Sequence, residues 1–304
     1  MGQLLGDTYG LPQLQIQIRL GTIPLYETLP HPSLGHSVTS VDLLTPVLPR
    51  RSRYLPAAGS SILSALNDSR LAVSLGWVVA VDGPGKIPEI GVEAATVVWL
   101  GQRSGCATAR NLALGASHAD WVTPLDADDT LDIDGLAAIA ASLPTLDPSI
   151  GWIAANRLLF DGRHSAHWIP TDARLCPGDL ARRWTAPFPF HPNTIIIRRS
   201  LALAVGGWPA LMVNEDLGFI LTVSEVAHGL LTTQVIQRYR VWPGQTTSTR
   251  GYAPDKERAF AIIAQVINAK RAMSGRATIT SPAPGRAYGR EPREDIQSED
   301  LRHR

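Results

Sequence analysis

The chain has 304 residues, 28 basic against 27 acidic side chains, 44% hydrophobic residues and 18% charged ones. That balance supplies a sizeable core and excludes a charge-rich disordered chain, while a net charge of +1 excludes a general nucleic-acid coater. Any anionic ligand must then be held by a local site, and the length predicts one or two domains.

Residues 1–36 form an extension rich in Gly, Pro and Leu, in which Leu14, Ile16, Ile18 and Leu20 alternate with Gln15, Gln17 and Arg19. The alternation predicts a strand covering one side of the main domain, and the same strand is a candidate contact for an oligomer. From Val38 strands and helices alternate. Val38–Thr45 reads as a strand stopped by Pro46, and Pro56–Leu66 as a helix with Ile62, Leu63 and Leu66 inward. Leu75–Val81 is a nearly all-apolar strand ending at Asp82-Gly83-Pro84-Gly85, as buried parallel strands do. Thr96–Leu100 is a short strand and Ser104–Ser117 a helix. Trp121–Leu125 is a strand running into Asp126-Ala127-Asp128-Asp129, with Pro124 marking its end.

A helix over Ile133–Leu143 follows, then strands over Gly151–Phe160 and Thr194–Ile197, a helix after Asn214-Glu215-Asp216, and a strand over Thr232–Val241. The stretch Asp161–Pro192 is loop-rich and holds His164, His167, Trp168, Trp184, Phe188, Phe190 and His191. Pro254–Met273 is an amphipathic helix with Phe260, Ile263 and Ile267 on one stripe and Gly275 as its stop. Arg276–Arg304 is polar and predicted disordered. The organisation is thus an extension (1–36), two halves of one α/β unit (37–130 and 131–250), a C-terminal helix (251–275) and a tail (276–304).

Two cysteines, Cys106 and Cys176, match no metal-ligand spacing and predict no disulfide scaffold, which fits a reducing compartment. Met1–Gly10 shows no leader or acylation signal, and the longest apolar stretch, Leu201–Val213, is too short to cross a bilayer. The chain reads as cytoplasmic, with no integral membrane segment. Its lysines are limited to Lys86, Lys256 and Lys270, the arginine bias of a GC-rich, bacterial genome.

The alternation argues a parallel sheet with helices on both faces, where ligands sit at the carboxyl ends of the strands. At one such end Asp126 and Asp128 lie two apart, so in extended chain both point the same way and suit Mg²⁺ or Mn²⁺. The competing reading is an acidic turn or a helix cap, a task open to Asp129 or Asp132. Upstream, Arg103-Ser104-Gly105-Cys106-Ala107-Thr108-Ala109-Arg110-Asn111 is a small-residue turn opening a helix, where Arg103 or Arg110 can meet phosphate or carboxylate. Asp82 can accept bonds from a nucleobase or ribose, or serve a turn with Gly83. Glu215-Asp216 places two acidic residues in the first turn of a helix, where they can cap it. The histidines of the long loop have no ligand spacing and predict no zinc site. Trp168, Trp184 and Phe188 either stack on a ligand ring or pack in the core. Gly83-Pro84-Gly85-Lys86 lacks the hydroxyl residue a phosphate loop needs, since Ile87 follows.

In order and spacing these pieces resemble family 2 glycosyltransferases. The resemblance rests on Gly105, Ala109-Arg110-Asn111 and Leu125-Asp126-Ala127-Asp128-Asp129. Thr45-Pro46 at the first strand's end, Ser61-Ile62-Leu63 in the first helix and Asp82-Gly83 support it, as do Gly206-Gly207-Trp208 before Glu215-Asp216 and Tyr239-Arg240 late in the last strand. It covers about residues 37 to 250. It implies a GT-A (Rossmann-like) fold, a mostly parallel central sheet with helices on both faces in a single main domain. It also implies an inverting, metal-dependent, hexosyltransferase-type enzyme. The donor would be a nucleotide-diphosphate sugar and the acceptor a small molecule or glycan; no nucleic acid is implied. On that resemblance Thr45, Pro46 and Asp82 line the nucleoside pocket, Asp126 with Ala127 approaches the ribose, Asp128 ligates Mg²⁺ or Mn²⁺, and Arg103, Arg110 and Arg240 face phosphate. Asp216 is the catalytic base. A nucleotidyltransferase and a degenerate sugar-nucleotide binder are the alternatives. The chain departs from the family at Val47-Leu48-Pro49, where a Tyr-Asn pair is usual, and at Trp242, where a histidine often stands. A further departure is Asp42, which lies inside a strand and is either surface-facing or paired.

Overall fold

A computed structural model of the chain describes residues 18–19, 38–86, 90–93, 95–184, 188–243, 245 and 252–282. Its strands are β1 (Ile18–Arg19), β2 (Ser40–Val47), β3 (Ser74–Val81), β4 (Thr96–Trp99), β5 (Trp121–Pro124), β6 (Thr130–Leu131), β7 (Ile150–Leu159), β8 (Ala173–Leu175), β9 (Ile195–Arg198) and β10 (His228–Tyr239). The helices are α1 (Leu55–Leu66), α2 (Cys106–Ala116), α3 (Ile133–Ser142), α4 (Asp179–Arg182), α5 (Arg199–Ala204), α6 (Glu215–Ser224) and α7 (Tyr252–Met273).

All ten strands join one sheet in the order β1-β4-β3-β2-β5-β9-β7-β10-β6, with β8 beside β10. Strands β4, β3, β2 and β5 are mutually parallel, β10 is parallel to β7, and β9 runs antiparallel between β5 and β7. The two predicted halves therefore share one sheet and form a single domain. Alternate residues feed two cores. Leu43, Val79, Val81 and Ile196 pack with α1 and α3, while Leu44, Val78, Ala80 and Ile197 pack with α2, α5, α6 and α7. Helices on both faces explain why β3 is apolar along almost its whole length.

The structure corrects several expectations. Strand β2 does not stop at Pro46 but continues through Val47. Leu44 accepts a bond from Leu125 on the β5 side, and β5 pairs only as far as Leu44. The N–H that Pro46 lacks falls on that same side, past the last rung, where nothing needs it. In α1, Ile62 is buried but Leu63 and Leu66 are about 40% exposed. The inward stripe is Leu55, Ala58, Gly59, Ile62 and Ala65, the 3.6-residue repeat that starts one position earlier than the predicted helix. Asp42 is paired, accepting from Ser117 Oγ at 2.6 Å; a Cβ at Gly76 would collide with it.

Of the strand predicted over Leu14–Leu20, Ile18 and Arg19 form β1, antiparallel to β4 at the sheet edge. The rest lies outside the described residues. The tail predicted disordered from Arg276 follows a fixed path to residue 282: Arg276 bonds Glu225, and Ile279 exchanges two bonds with Asn268. Among the described residues no helix is long and apolar enough to cross a membrane.

Helix α7 is strapped to α6 through Glu225, whose Oε1 accepts from Arg271 Nη1 at 2.7 Å and whose Oε2 accepts from Arg276 Nη1 at 3.0 Å. The Glu225 and Arg271 side chains are each 2% exposed. Glu225→Ala leaves a buried, unpaired guanidinium and is expected to destabilise the fold by about 3 kcal/mol in urea unfolding. Adding Arg271→Met should recover most of that loss.

Candidate active site

The chain builds β2, β3 and β4 outward on one side and then returns to place β5 on the other side of β2. Such a reversal opens a crevice beyond the carboxyl ends of β2 and β5. Asp82 leaves β3 at this edge and Asp126–Asp129 leave β5. Across the crevice stand Arg110 on α2 and Glu215-Asp216 at the start of α6.

Asp82 is buried and accepts from the backbone N–H groups of Ser104 (2.6 Å) and Gly105 (3.0 Å). Both oxygens thus hold the turn that opens α2, in which Gly105 has a φ of 95°. Arg103 sits exposed on the same turn. Thr45 is fully buried, and its Oγ1 accepts from Trp77 Nε1 at 2.8 Å, so its side chain is committed to the core. Pro46 is half-buried and Ala127 buried.

Arg110 is 3% exposed and forms two ion pairs of 2.7 Å, from Nη2 to Asp126 Oδ1 and from Nη1 to Glu215 Oε1. It meets carboxylates, and its two forks are filled. Next along α2, Asn111 donates to the Trp208 carbonyl at 2.9 Å and accepts from Trp208 N–H at 2.8 Å. That clasp fixes the Gly206-Gly207-Trp208 turn. Gly207 has a φ of 69°, and a Cβ there would run into Asn111 Oδ1. Asn214, left-handed at φ 59°, then turns the chain into α6.

Asp126 to Asp129 form a turn, closed by Asp129 N–H on the Asp126 carbonyl at 3.0 Å, and not the extended segment predicted. The turn still gathers the carboxylates. Burial, and then the charge of Asp126, raises Asp128 above the usual carboxylate range. Asp129 is raised further by its complete burial and by both neighbours. Its Oδ1 accepts from Arg240 N–H at 3.0 Å, while Arg240 Nε donates to the Asp128 carbonyl at 3.0 Å. On the far side, Asp216 accepts from Leu217 N–H at 2.7 Å. Burial and the adjacent Glu215 push its carboxyl up to about 7, against the pull of Arg110.

One further participant is Trp242, the residue that stands where the resemblance expects a histidine. Trp242 Nε1 donates to Asp128 Oδ2 at 2.6 Å, and the indole meets Tyr54 at 5.1 Å between ring centroids. Tyr54 ends the 3-10 turn Pro49–Tyr54, whose Arg51 and Arg53 guanidinium groups lie 5.3 and 5.9 Å from the Trp242 ring centroid. The place of Trp242 at a histidine position of the family and the arginine-rich run after Pro49 were the available hints.

The histidines assemble no metal set. His164 stacks on Trp168, His167 Nδ1 lies 2.9 Å from the Phe188 carbonyl, and half-buried His191 accepts from Asn193 N–H. Trp184 and Phe188 are core residues, 3% and 1% exposed. Among the described residues no group of three His, Cys, Asp or Glu forms a metal cage. The Asp126/Asp128 turn nevertheless fits a hard cation. Each carboxylate spends one oxygen, on Arg110 or on Trp242, and keeps lone pairs on the other. Mg²⁺ and Mn²⁺ are commonly held by one or two such groups, the remaining ligands coming from water and substrate phosphates.

Residues 86–203 match the family model described as glycosyl transferase family 2. Among solved structures, S. aureus TarS aligns with a TM-score of 0.57 at 17% identity, over 75% of this chain and 39% of that one. Its 1–349 segment in complex with UDP-GlcNAc aligns with a TM-score of 0.59 at 16% identity, over 76% of this chain and 66% of that one. At such identities the likeness shows the fold, which is GT-A, and the chain spans well under half of the longer TarS chain. No curated protein is detectably similar in sequence.

Proposed function

We propose, for a chain that residues 86–203 place in glycosyl transferase family 2, that it is an inverting, metal-dependent glycosyltransferase acting from a nucleotide-diphosphate sugar. The observation that carries this reading is geometric: at the sheet's switch point Arg110 joins Asp126 of the acidic turn to Glu215, which brings the start of α6, and with it Asp216, to that turn. An acceptor hydroxyl is a weak nucleophile at neutral pH, and a carboxylate within reach takes its proton as it attacks the anomeric carbon. Attack from the face opposite the departing group inverts that centre. Asp126 and Asp128 would hold Mg²⁺ or Mn²⁺, which supplies charge stabilisation to a leaving diphosphate. Arg103 and Arg240 border the same mouth. The nucleoside lies along the end of β2, against Pro46 and backbone, since the side chains of Thr45 and Asp82 are engaged elsewhere. The setting is cytoplasmic, the acceptor a small molecule or glycan, and the β1 edge a contact for a second copy.

A thermal-shift screen of UDP- and GDP-sugars with and without Mn²⁺ identifies the donor, because a ligand selective for the folded state raises stability. Release of nucleoside diphosphate during turnover is the expected product; release of pyrophosphate would make the chain a nucleotidyltransferase. Asp128→Asn should abolish the Mn²⁺-dependent part of the donor's stabilisation and reduce transfer at least about 100-fold.

A further inference from the structure

Trp242 does more than border the mouth. Its indole N–H reaches Asp128 Oδ2 at 2.6 Å, a short bond to a carboxylate and so among the stronger ones available. The indole is itself fixed from several sides. Trp242 N–H donates to Gln245 Oε1 at 3.0 Å, and Gln245 Nε2 donates to the Tyr239 hydroxyl at 3.0 Å. The ring face meets Tyr54 and Arg51 from the turn after β2. Two segments far apart in the chain therefore act in series: the turn after β2 holds the indole that follows β10, and the indole N–H holds the carboxylate. An aspartate on a turn has two torsions to settle, and a partner for one oxygen settles both.

We propose that Trp242 is a positioning residue for the divalent cation: its indole N–H fixes the Asp128 carboxylate in a single orientation, and Tyr54 fixes the indole. The proposal rests on the reading of Asp128 as a cation ligand. Packing alone would need the ring; positioning needs the N–H. Trp242→Phe keeps the ring against Tyr54 and removes the donor.

The test is Mn²⁺ binding by the full chain without donor, followed by thermal shift and by the loss of free Mn²⁺ signal in electron paramagnetic resonance. The melting temperature without metal reports that each variant is folded. Trp242→Phe is expected to weaken Mn²⁺ about 10-fold or more, the usual effect of removing a partner behind a metal ligand. In turnover the loss should fall on half-saturating Mn²⁺ much more than on kcat. Tyr54→Leu, which leaves the indole in place but unsupported, should weaken Mn²⁺ in the same direction by a smaller factor. In an Asp128→Asn background Trp242→Phe should add nothing. Unchanged or tighter Mn²⁺ binding by folded Trp242→Phe overturns the proposal. A wild-type chain that binds donor but no Mn²⁺ overturns the cation reading itself, and this failure shows before any variant is made.

Discussion

Asp216→Asn is expected to remove transfer, by about 100-fold to 10,000-fold, and at the same time to make the protein more stable at pH 8. The two effects have one cause. The Asp216 carboxyl keeps its proton to about pH 7 in the folded chain, against an ordinary value of 3.8, because it is half-buried, partly desolvated and beside Glu215. Between those two values the folded state binds more protons than the unfolded state. Stability therefore falls as pH rises from about 4 to about 7, and above pH 7 the folded chain carries the whole cost of ionising a half-buried carboxyl beside Glu215. Asparagine can still accept the Leu217 N–H bond and has no charge to bury. Its gain at pH 8 is on the order of a few kcal/mol, and should vanish at pH 4. Thermal melts of both proteins at pH 4, 6 and 8 read this directly. The wild-type transfer rate should rise with pH and level off above about 7, since the base works only when ionised, while the residual rate of the variant stays flat. A variant with near-normal turnover would remove Asp216 from the role of base. Equal melting temperatures at pH 8 would mean that the carboxyl is solvated and ordinary.

Much of the scaffold was legible because both cores obey simple periodicities. The apolar run of β3, the Phe260-Ile263-Ile267 stripe of α7 and the acidic segment after β5 are local features, and local features survive in a sequence. Strand β10 begins at His228, four residues before the predicted start, because its pairing with β7 is broken between Leu231 and Val235. A shift of register scrambles the alternation that reveals a strand. Helix α5 is six residues long with Ala202 as its buried residue, too short for any stripe to show.

The site was legible only as a set of carboxylates. Which of them bind substrate and which bind protein is decided by partners that are remote in the chain. Asp82 holds backbone 22 residues away, Asn111 holds a turn 97 away, and Trp242 reaches Asp128 across 114. Asp126 and Asp128 sit on a turn closed by Asp129 N–H on the Asp126 carbonyl, so strand alternation does not describe how their carboxylates are placed. No spacing rule anticipates a tryptophan donor on a candidate cation ligand.

Arg110 is where the two halves of the site meet, and its loss should damage stability and chemistry together. It is 3% exposed, and it bridges Asp126 of the acidic turn to Glu215 at the start of α6, 105 residues further along the chain. Arg110→Met keeps much of the volume and removes the cation, leaving Glu215, 12% exposed, without its counter-charge. Breaking a buried pair in this way costs about 3–5 kcal/mol, visible as a lower urea midpoint. Lysine is a poor replacement, because a single ammonium cannot present two nitrogens to two carboxylates in fixed directions. The chemistry should shift in a direction of its own. Arg110 pulls the Asp216 carboxyl downward, so without it the proton is held more tightly and the rise of rate with pH should move above 7. Arg110→Met combined with Glu215→Gln removes both the cation and the charge it served. Stability should then recover in large part, while the Asp126 carboxylate, freed from its anchor, leaves donor binding impaired. A recovery of both would reduce Arg110 to a structural cation, and a stability loss below about 1 kcal/mol in the single variant would mean that solvent reaches Glu215 and Asp126 and does the same work.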